Sequence, residues 1–475
     1  MWTGFLVFAH YVLATLIVVR VLLRPRLEPS VRLAWVLVVE VVPVIGIGAY
    51  ILFGEVRMRR AEVQKMADVR DRLTGRWQVS PQRVTDPPDH AVPVIDMGGA
   101  VGGFYAVAGN SLHLLAEDDG AIADMVGAID AARDHVHVLF YIWLPDDSGA
   151  AVAAAVARAA RRGVTARVIV DALGSRALVR SPLWRQMQDA GAHCVTAFPW
   201  GMPLVSALFQ RLDLRNHRKI MVIDNDIAFT GSRNCADMAF AIKPRFAPWI
   251  DIMVELRGPA VRQMQAIFLA DWMAYTGRDL GNLLVMEDVA ADPGATVQMI
   301  ATGPDRHTGS LSDCLATLLH AARERVTITT PYYVPDSALD AAIRSTARRG
   351  VEVTMILPAR NDSLIVGATS QVFYEALLES GVRLMLFGPG LVHAKIVSVD
   401  GQMAMIGSAN LDRRSFELNY EVNMLVVDAD FCDHIDERQA SYLARSRQVS
   451  LEEVRGWSRL RRIRNNLLAL ASPLL

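Results

Sequence analysis

The sequence predicts an α/β protein built from one unit used twice: two α/β halves about a pseudo-twofold axis, behind an N-terminal two-helix transmembrane hairpin. Three observations carry this. The stretch Asn216-His217-Arg218-Lys219-Ile220-Met221-Val222-Ile223-Asp224, followed by Gly231-Ser232-Arg233-Asn234, returns as His393-Ala394-Lys395-Ile396-Val397-Ser398-Val399-Asp400 with Gly407-Ser408-Ala409-Asn410. In both copies His and Lys sit two apart, Asp follows Lys by five, and Gly-Ser-x-Asn begins seven after Asp. So long a shared spacing does not arise by chance. Apolar runs of strand length alternate with helix-like runs around each copy, the pattern of an α/β unit. Ahead of both lie two apolar runs, each of about twenty residues and long enough to cross a hydrocarbon core as a helix.

The first of these runs is Gly4 to Leu23, apolar apart from His10 and Arg20; the second is Leu33 to Phe53. Arg24-Pro25-Arg26-Leu27-Glu28-Pro29 separates them, and its prolines place a tight turn there. The opening Met-Trp-Thr-Gly has no basic side chain, which fits a cleaved leader poorly. Arg20 is near enough to its helix end to snorkel. Glu40 is deeper and reads as a point of contact with other protein. Arg24, Arg26 and Arg32 compete with Arg57, Arg59, Arg60 and Lys65 for the positive-inside rule, and the larger cluster leans toward a cytoplasmic catalytic domain. The predicted division is 1–57 hairpin anchor, 58–91 juxtamembrane connector, 92–304 first half, and 305–475 second half with a C-terminal basic and apolar helix. The connector is polar and basic, suited to anionic head groups.

Within the first half, a helix near Ala121 to Arg133 precedes an apolar, aromatic strand from Val136 to Trp143. An Ala-rich helix then stops at Gly163 before a strand from Thr165 to Val170. Ala131-Ala132-Arg133 and Ala160-Arg161-Arg162-Gly163-Val164 recur as Ala321-Ala322-Arg323 and Ala347-Arg348-Arg349-Gly350-Val351, so the repeat spans the whole unit. The tail, with Trp457, Arg459, Arg461, Arg462 and Arg464 before Leu467, Leu468, Leu470, Leu474 and Leu475, reads either as a helix lying on an anionic membrane or as a last helix docked on the domain.

Over the 475 residues, 49 Lys+Arg balance 50 Asp+Glu, so no overall basic charge points to nucleic acid. A hydrophobic fraction of 52% with mean hydropathy +0.24 asks for a membrane segment. Cys194, Cys235, Cys314 and Cys432 show no metal-type spacing and read as incidental thiols.

Each motif suggests a strand, a turn at Asp224-Asn225-Asp226 in the first copy, and a second strand ending in Gly-Ser. His217 and Lys219 then share a strand face, as do His393 and Lys395. Two imidazoles, two ammonium groups and two Gly-Ser-x-Asn turns suit a phosphate diester, whose nonbridging oxygens gather negative charge during transfer. One His attacks phosphorus; the other protonates the leaving alkoxide and then deprotonates the incoming hydroxyl. Lys supplies the charge, so no metal and no cofactor is expected. Tyr141, Trp143, Tyr332 and Tyr333 end inferred strands and either line the pocket or pack in the core.

These residues resemble the phospholipase D superfamily, whose signature is His-x-Lys-x4-Asp followed by Gly-Ser-x-Asn, twice per chain. More narrowly the chain is similar to bacterial cardiolipin synthases, through Arg215-Asn216-His217-Arg218-Lys219, Thr330-Pro331-Tyr332-Tyr333-Val334-Pro335-Asp336, Gly407 to Phe416, Asn419-Tyr420-Glu421 and Ser472-Pro473-Leu474-Leu475. Pro43-Val44-Ile45-Gly46 and Leu52-Phe53-Gly54 resemble that family's anchor, though Glu40 departs from it. The resemblance implies a duplicated phospholipase D-like fold in a bacterial inner membrane. It implies phosphatidyl transfer between two phosphatidylglycerol molecules through a phosphohistidine, giving cardiolipin and glycerol. His217 is then the nucleophile and His393 the general acid and base, an assignment that pseudo-symmetry makes reversible. The implied catalytic set is His217, Lys219 and Asp224 with His393, Lys395 and Asp400, the two aspartates serving the turn or the other half. Ser232, Asn234, Ser408 and Asn410 hold the phosphate, and Asp251 and Glu421 orient the histidines. A phospholipase D that hydrolyses its lipid, a superfamily nuclease and a non-catalytic membrane scaffold are the competing readings.

Overall fold

The computed structural model describes residues 2–24, 29–42, 44–55, 68–69, 83–84, 86–199, 213–284, 294–305 and 309–470. Most of the connector, including Arg57, Arg59, Arg60 and Lys65, lies outside the described residues, as do Arg26, Pro43, His307 and Ser472-Pro473-Leu474-Leu475.

The N-terminal segment is three helices, not two. Helix α1 spans Trp2–Leu23, α2 Pro29–Val41 and α3 Ile45–Phe53, so the second apolar run is divided. The division falls where Pro43 disfavours helical backbone in the residue before it, and Val44 stands at φ 65°. Among the described residues no helix is long and apolar enough to cross a membrane. Val21, Trp35, Val39 and Tyr50 form a small core of their own between the three helices. Arg20 makes bonds of 2.5 and 2.7 Å to Glu55, which also accepts from the Tyr50 hydroxyl at 2.8 Å. Glu40 is exposed on α2.

The rest is organised by one 16-stranded sheet that records the duplication strand by strand. In the first half run β1 (Val107–Leu114), β2 (His135–Phe140), β3 (Thr165–Asp171), β4 (His193–Ala197), β5 (Arg215–Asn216), β6 (Lys219–Ile223), β7 (Ile227–Gly231), β8 (Trp249–Ile250) and β9 (Met253–Arg257). The second half follows with β10 (Ala295–Thr302), β11 (Arg325–Thr329), β12 (Tyr333–Val334), β13 (Glu352–Pro358), β14 (Arg383–Phe387), β15 (Leu391–Val392) and β16 (Ile396–Val399). It closes with β17 (Met403–Gly407), β18 (Leu411–Asp412), β19 (Asn419–Val427) and β20 (Ser446–Val449).

Spatial order within the first half is β1-β9-β7-β6-β2-β3-β4, and within the second β10-β19-β17-β16-β11-β13-β14. The two orders match member for member and meet where β1 pairs antiparallel with β10, as a twofold between them requires. β10 precedes residue 304 but is the counterpart of β1 and pairs with β19, so by strand pairing it belongs to the second half. Parallel strands β2-β3-β4 and β11-β13-β14 are joined by helices, Asp147–Arg161 and Ser337–Arg348 among them; Gly163 and Gly350, at φ 92° and 93°, follow those two helices. One core joins the halves around helix Val261–Thr276, and each half has a second core beneath its own outer helices.

The motif aspartates belong to this scaffold. Asp224, at φ 53°, accepts from three successive amides, Arg133, Asp134 and His135, each at 2.8 Å. Asp400, at φ 55°, does the same for Arg323, Glu324 and Arg325 at 2.8, 2.9 and 2.8 Å. Each thus ties the end of its motif strand to the start of the neighbouring central strand of its own half. Five residues of strand put Asp224 roughly 16 Å from Lys219. Of the two structural partners that the sequence leaves open for these aspartates, the turn and the other half, the bonds seen here are all within the aspartate's own half. Asp224→Ala is expected to lower stability by about 3 kcal/mol, since three bonds to a charged acceptor are lost. Activity per folded molecule should stay within about threefold, and thermal unfolding beside assays of the soluble fraction checks both.

Candidate active site

Both histidines are placed by short cross-half pairings. β5 runs parallel to the start of β19, and β15 runs parallel to β8. The chain therefore enters each motif alongside the other half's acid segment. The His217 amide donates to Tyr420 O at 2.9 Å, and the His393 amide to Ile250 O at 2.7 Å. His217 Nδ1 lies 3.0 Å from both carboxylate oxygens of Glu421, and His393 Nδ1 lies 2.6 Å from Asp251 Oδ1. Each acid thus serves the histidine of the opposite half. With Nδ1–H held by the carboxylate, Nε2 of each ring is the reactive nitrogen.

Ser232 and Ser408 complete the acids. Ser232 Oγ donates to Asp251 at 2.5 Å and accepts from the Ile252 amide at 3.0 Å. Ser408 Oγ donates to Glu421 and accepts from the Val422 amide at 3.0 Å. A hydroxyl has one proton, and both are fully buried, so each serine here gives its proton to an acid, where the sequence expectation had it at the phosphate. The glycine before each serine permits the close approach: a Cβ on Gly231 would collide with Ile252 O, and one on Gly407 with Val422 O.

The lysines lie behind the histidines. Lys219 Nζ donates to His217 O at 2.6 Å, and Lys395 Nζ to His393 O at 2.6 Å. The halves then differ. Lys395 Nζ also lies 2.9 Å from His393 Nε2, whereas His217 Nε2 has no donor partner among the described residues. Burial is the largest influence on all four groups. It pushes Lys219 down to about 8, Lys395 to about 7 and His217 to about 4. His393 is lowered too. Burial would raise the acids, but the histidine and lysine charges outweigh it and hold Asp251 and Glu421 down at about 2.

His217, His393, Asn234 and Asn410 line one cavity of about 390 Å³. Asn410 Oδ1 is buried without a hydrogen-bond partner, and Asn234 Oδ1 accepts from the Ile142 amide at 3.2 Å. Tyr141 stands edge-on to His217 with centroids 4.8 Å apart. Trp249 lies 4.6 Å from His393 and stacks on Phe240. Tyr141 and Tyr332 line the cavity, while Trp143 and Tyr333 are core. Sequence reasoning missed the outer wall: Ile242, Lys243, Asp362, Ser363 and Val366. Lys243 of the first half meets Asp362 of the second at 2.5 Å. Ile242, Lys243, Asp362 and Ser363 lie outside the helices and strands and Val366 on helix Leu364–Val372, and none belongs to the repeated motif spacing, so no such signal marks them. The cavity is thus polar at the histidines, while its outer wall sets the apolar Ile242 and Val366 beside the charged Lys243–Asp362 pair. Among the described residues no group of His, Cys, Asp or Glu is arranged to hold a metal ion.

A family described as "Cardiolipin synthase, PLD-like domain" matches residues 125–272 and 315–442, and one described as "Phospholipase_D-nuclease N-terminal" matches 12–55. The chain is 37% identical to cardiolipin synthase A of Serratia proteamaculans (strain 568), over 99% of this chain and 98% of that protein. It is 35% identical to cardiolipin synthase A of Yersinia pseudotuberculosis serotype IB (strain PB1/+), with the same coverage. Among solved structures, phosphatidylserine synthase of Haemophilus influenzae Rd KW20 shares the fold. Its TM-score is 0.59 at 14% identity, covering 81% of this chain and all of that one.

Proposed function

The chain belongs to the bacterial cardiolipin synthases of the phospholipase D superfamily, and from that membership we propose how it joins two phosphatidylglycerol molecules into cardiolipin and glycerol. His217 Nε2 attacks the phosphorus of the first lipid. The bond from phosphorus to the glycerol oxygen breaks, that oxygen takes a proton from His393, and a phosphatidyl-histidine remains. A hydroxyl of the second lipid's terminal glycerol then gives its proton to His393 and attacks phosphorus. The P–N bond breaks and cardiolipin leaves. The observation that carries this reading is the pair of opposed histidines, each with its Nδ1 held by a carboxylate, on one cavity wide enough for a phosphate diester.

The inequality between the halves supports the assignment of roles. Lys395 occupies the lone pair of His393 Nε2, which makes that ring the poorer nucleophile, while His217 Nε2 keeps its lone pair free for attack. Asn234 and Asn410 hold the nonbridging oxygens, and Lys219 and Lys395 act from directly behind the rings. The N-terminal helices anchor the enzyme as a hairpin in the bacterial inner membrane, with the two halves on the cytoplasmic side.

Purified protein in phosphatidylglycerol vesicles tests the reading. Cardiolipin and glycerol in equal amounts are expected. Phosphatidic acid without cardiolipin would make the protein a hydrolase, and neither lipid product nor phosphorus-labelled protein at any time would leave a scaffold.

The lysines also set a pH dependence. Charge on Lys395 and Lys219 is lost from the free protein as pH rises through about 7 and then about 8. An ordinary lysine loses it near ~10. kcat/KM therefore falls from neutral pH upward. A bound phosphate favours the ammonium form, so the alkaline limb of kcat lies at higher pH than that of kcat/KM. Full pH profiles of both constants check this; coincident limbs near ~10 would dismiss the lysines as their cause.

A further inference from the structure

The C-terminal helix Arg459–Ala469 is docked on the wall of the cavity, yet it presents its apolar side outward. Leu460, Ile463, Leu467 and Leu470 recur at helical spacing, and their exposures are 77%, 56%, 61% and 71%. On the opposite side Asn465, almost fully buried, donates to Gln371 at 3.0 Å on helix Leu364–Val372. At 100° per residue, Arg459 and Arg464 flank the leucine stripe, one on each side, and both are exposed. An apolar stripe with basic flanks is the pattern of a helix that lies in a bilayer interface.

This stripe leads to the cavity. Arg462 pairs with Glu375, on the next helix Tyr374–Glu379, at 2.9 Å, and Asn465 pairs with Gln371, so the C-terminal helix runs antiparallel to the chain from 364 to 379. The Leu467–Leu470 end therefore points toward Leu364, which is 72% exposed, and Val366 of the same helix lines the cavity. Across the opening stands Ile242, 54% exposed and also a lining residue, with exposed Arg245 and Arg360 beside it.

The geometry points to one continuous lipid-docking surface, formed by the C-terminal helix and the rim of the cavity and resting on an anionic bilayer. Leu460, Ile463, Leu467 and Leu364 enter the acyl region while Arg459 and Arg464 meet head-group phosphates. Apolar patches of this kind on a protein surface mark interaction sites, and the basic flanks select an anionic partner. The cavity then opens onto the membrane, so a phospholipid reaches the histidines with its chains still among lipid. This rests on the reading that the substrate is a bilayer phospholipid.

The test uses the full chain carrying Leu460→Gln, Ile463→Gln and Leu467→Gln together, assayed on two forms of phosphatidylglycerol. With long-chain lipid in vesicles, cardiolipin formation is expected to fall about tenfold, because the surface no longer seats. With dihexanoyl lipid kept below its micelle concentration, turnover should stay within about twofold. Unchanged turnover on vesicles, or equal loss on both substrates, would overturn the proposal. A bimane on Ile463→Cys, in otherwise unaltered protein, gives a readout independent of catalysis. Nitroxide-labelled phosphatidylglycerol should quench it more strongly than a bimane on Glu452→Cys, and equal quenching counts against docking. Wild-type protein that makes no cardiolipin from either substrate would sink the transferase reading, while the quenching would still decide the surface.

Discussion

His217→Ala is expected to abolish cardiolipin formation, by on the order of 10⁵-fold or more, and to leave no phosphorus label on the protein, because in the proposed division of roles His217 carries the adduct. His393→Ala falls nearly as far on phosphatidylglycerol, since the glycerol alkoxide cannot depart unprotonated. The two variants part on a phosphatidyl ester of p-nitrophenol, whose leaving group needs no proton. His393→Ala should release one nitrophenolate per chain, keep the label, and stall, because the incoming hydroxyl still lacks a base. His217→Ala should release none. The reverse pattern would exchange the roles. This direction follows from the 2.9 Å contact of Lys395 Nζ with His393 Nε2, which has no equivalent at His217.

Glu421→Gln is expected to cost about 10³-fold in kcat with KM changed only a few-fold. The substitution keeps shape and volume, and it can keep the contact with Ser408. What changes is the proton on His217. A carboxylate can only accept, so it holds the proton on Nδ1 and leaves Nε2 as the attacking lone pair. An amide N–H turned toward Nδ1 drives the proton to Nε2 and blocks attack. Loss of the negative charge also removes the group that offsets two buried cations, Lys219 and the imidazolium formed during transfer. Rapid-quench measurement of adduct formation, beside thermal unfolding, separates this from damage to the fold. A loss confined to KM would instead assign Glu421 to lipid binding. Asp251→Asn repeats the experiment on His393, with the deficit in leaving-group protonation and rescue by the nitrophenyl ester.

The parts of this site that could be read from sequence are those that occur twice. His217 with His393 and Asn234 with Asn410 reach the cavity because a repeated spacing on a repeated strand pair leaves little freedom. The acids came from resemblance, since nothing in the residue order says that a carboxylate after Trp249-Ile250 faces a histidine 142 positions later. The bonds of the serines to the acids are hidden from the residue order for a related reason. A hydroxyl in a Gly-Ser-x-Asn turn suits a phosphate, and only the crossing of β9 or β19 behind the glycine shows that an acid has taken its proton. The outer wall, with Ile242, Lys243 and Asp362, could not be read at all, being made of loops outside the repeated motif spacing that the twofold brings together. β10 falls on the first-half side of the sequence division because the polar stretch Asp305 to Ser310, bracketed by Gly303-Pro304 and Gly309, reads as the join.

The crossed acids carry a consequence for how such a chain can arise. A single unfused copy would hold its histidine against a carboxylate it does not own, and could work only by finding a second copy of itself. Each side of that pair would have to be its own mirror. Joining the two copies in one chain lifts that demand, and the differences are visible: Asp251 on one side and Glu421 on the other, a lysine that reaches its imidazole in one motif and not in its twin. Fusion turned a symmetric encounter into a division of labour, and the same linkage forbids sharing. Two chains with complementary defects in His217 and His393 could not lend each other a working centre, however closely they assembled.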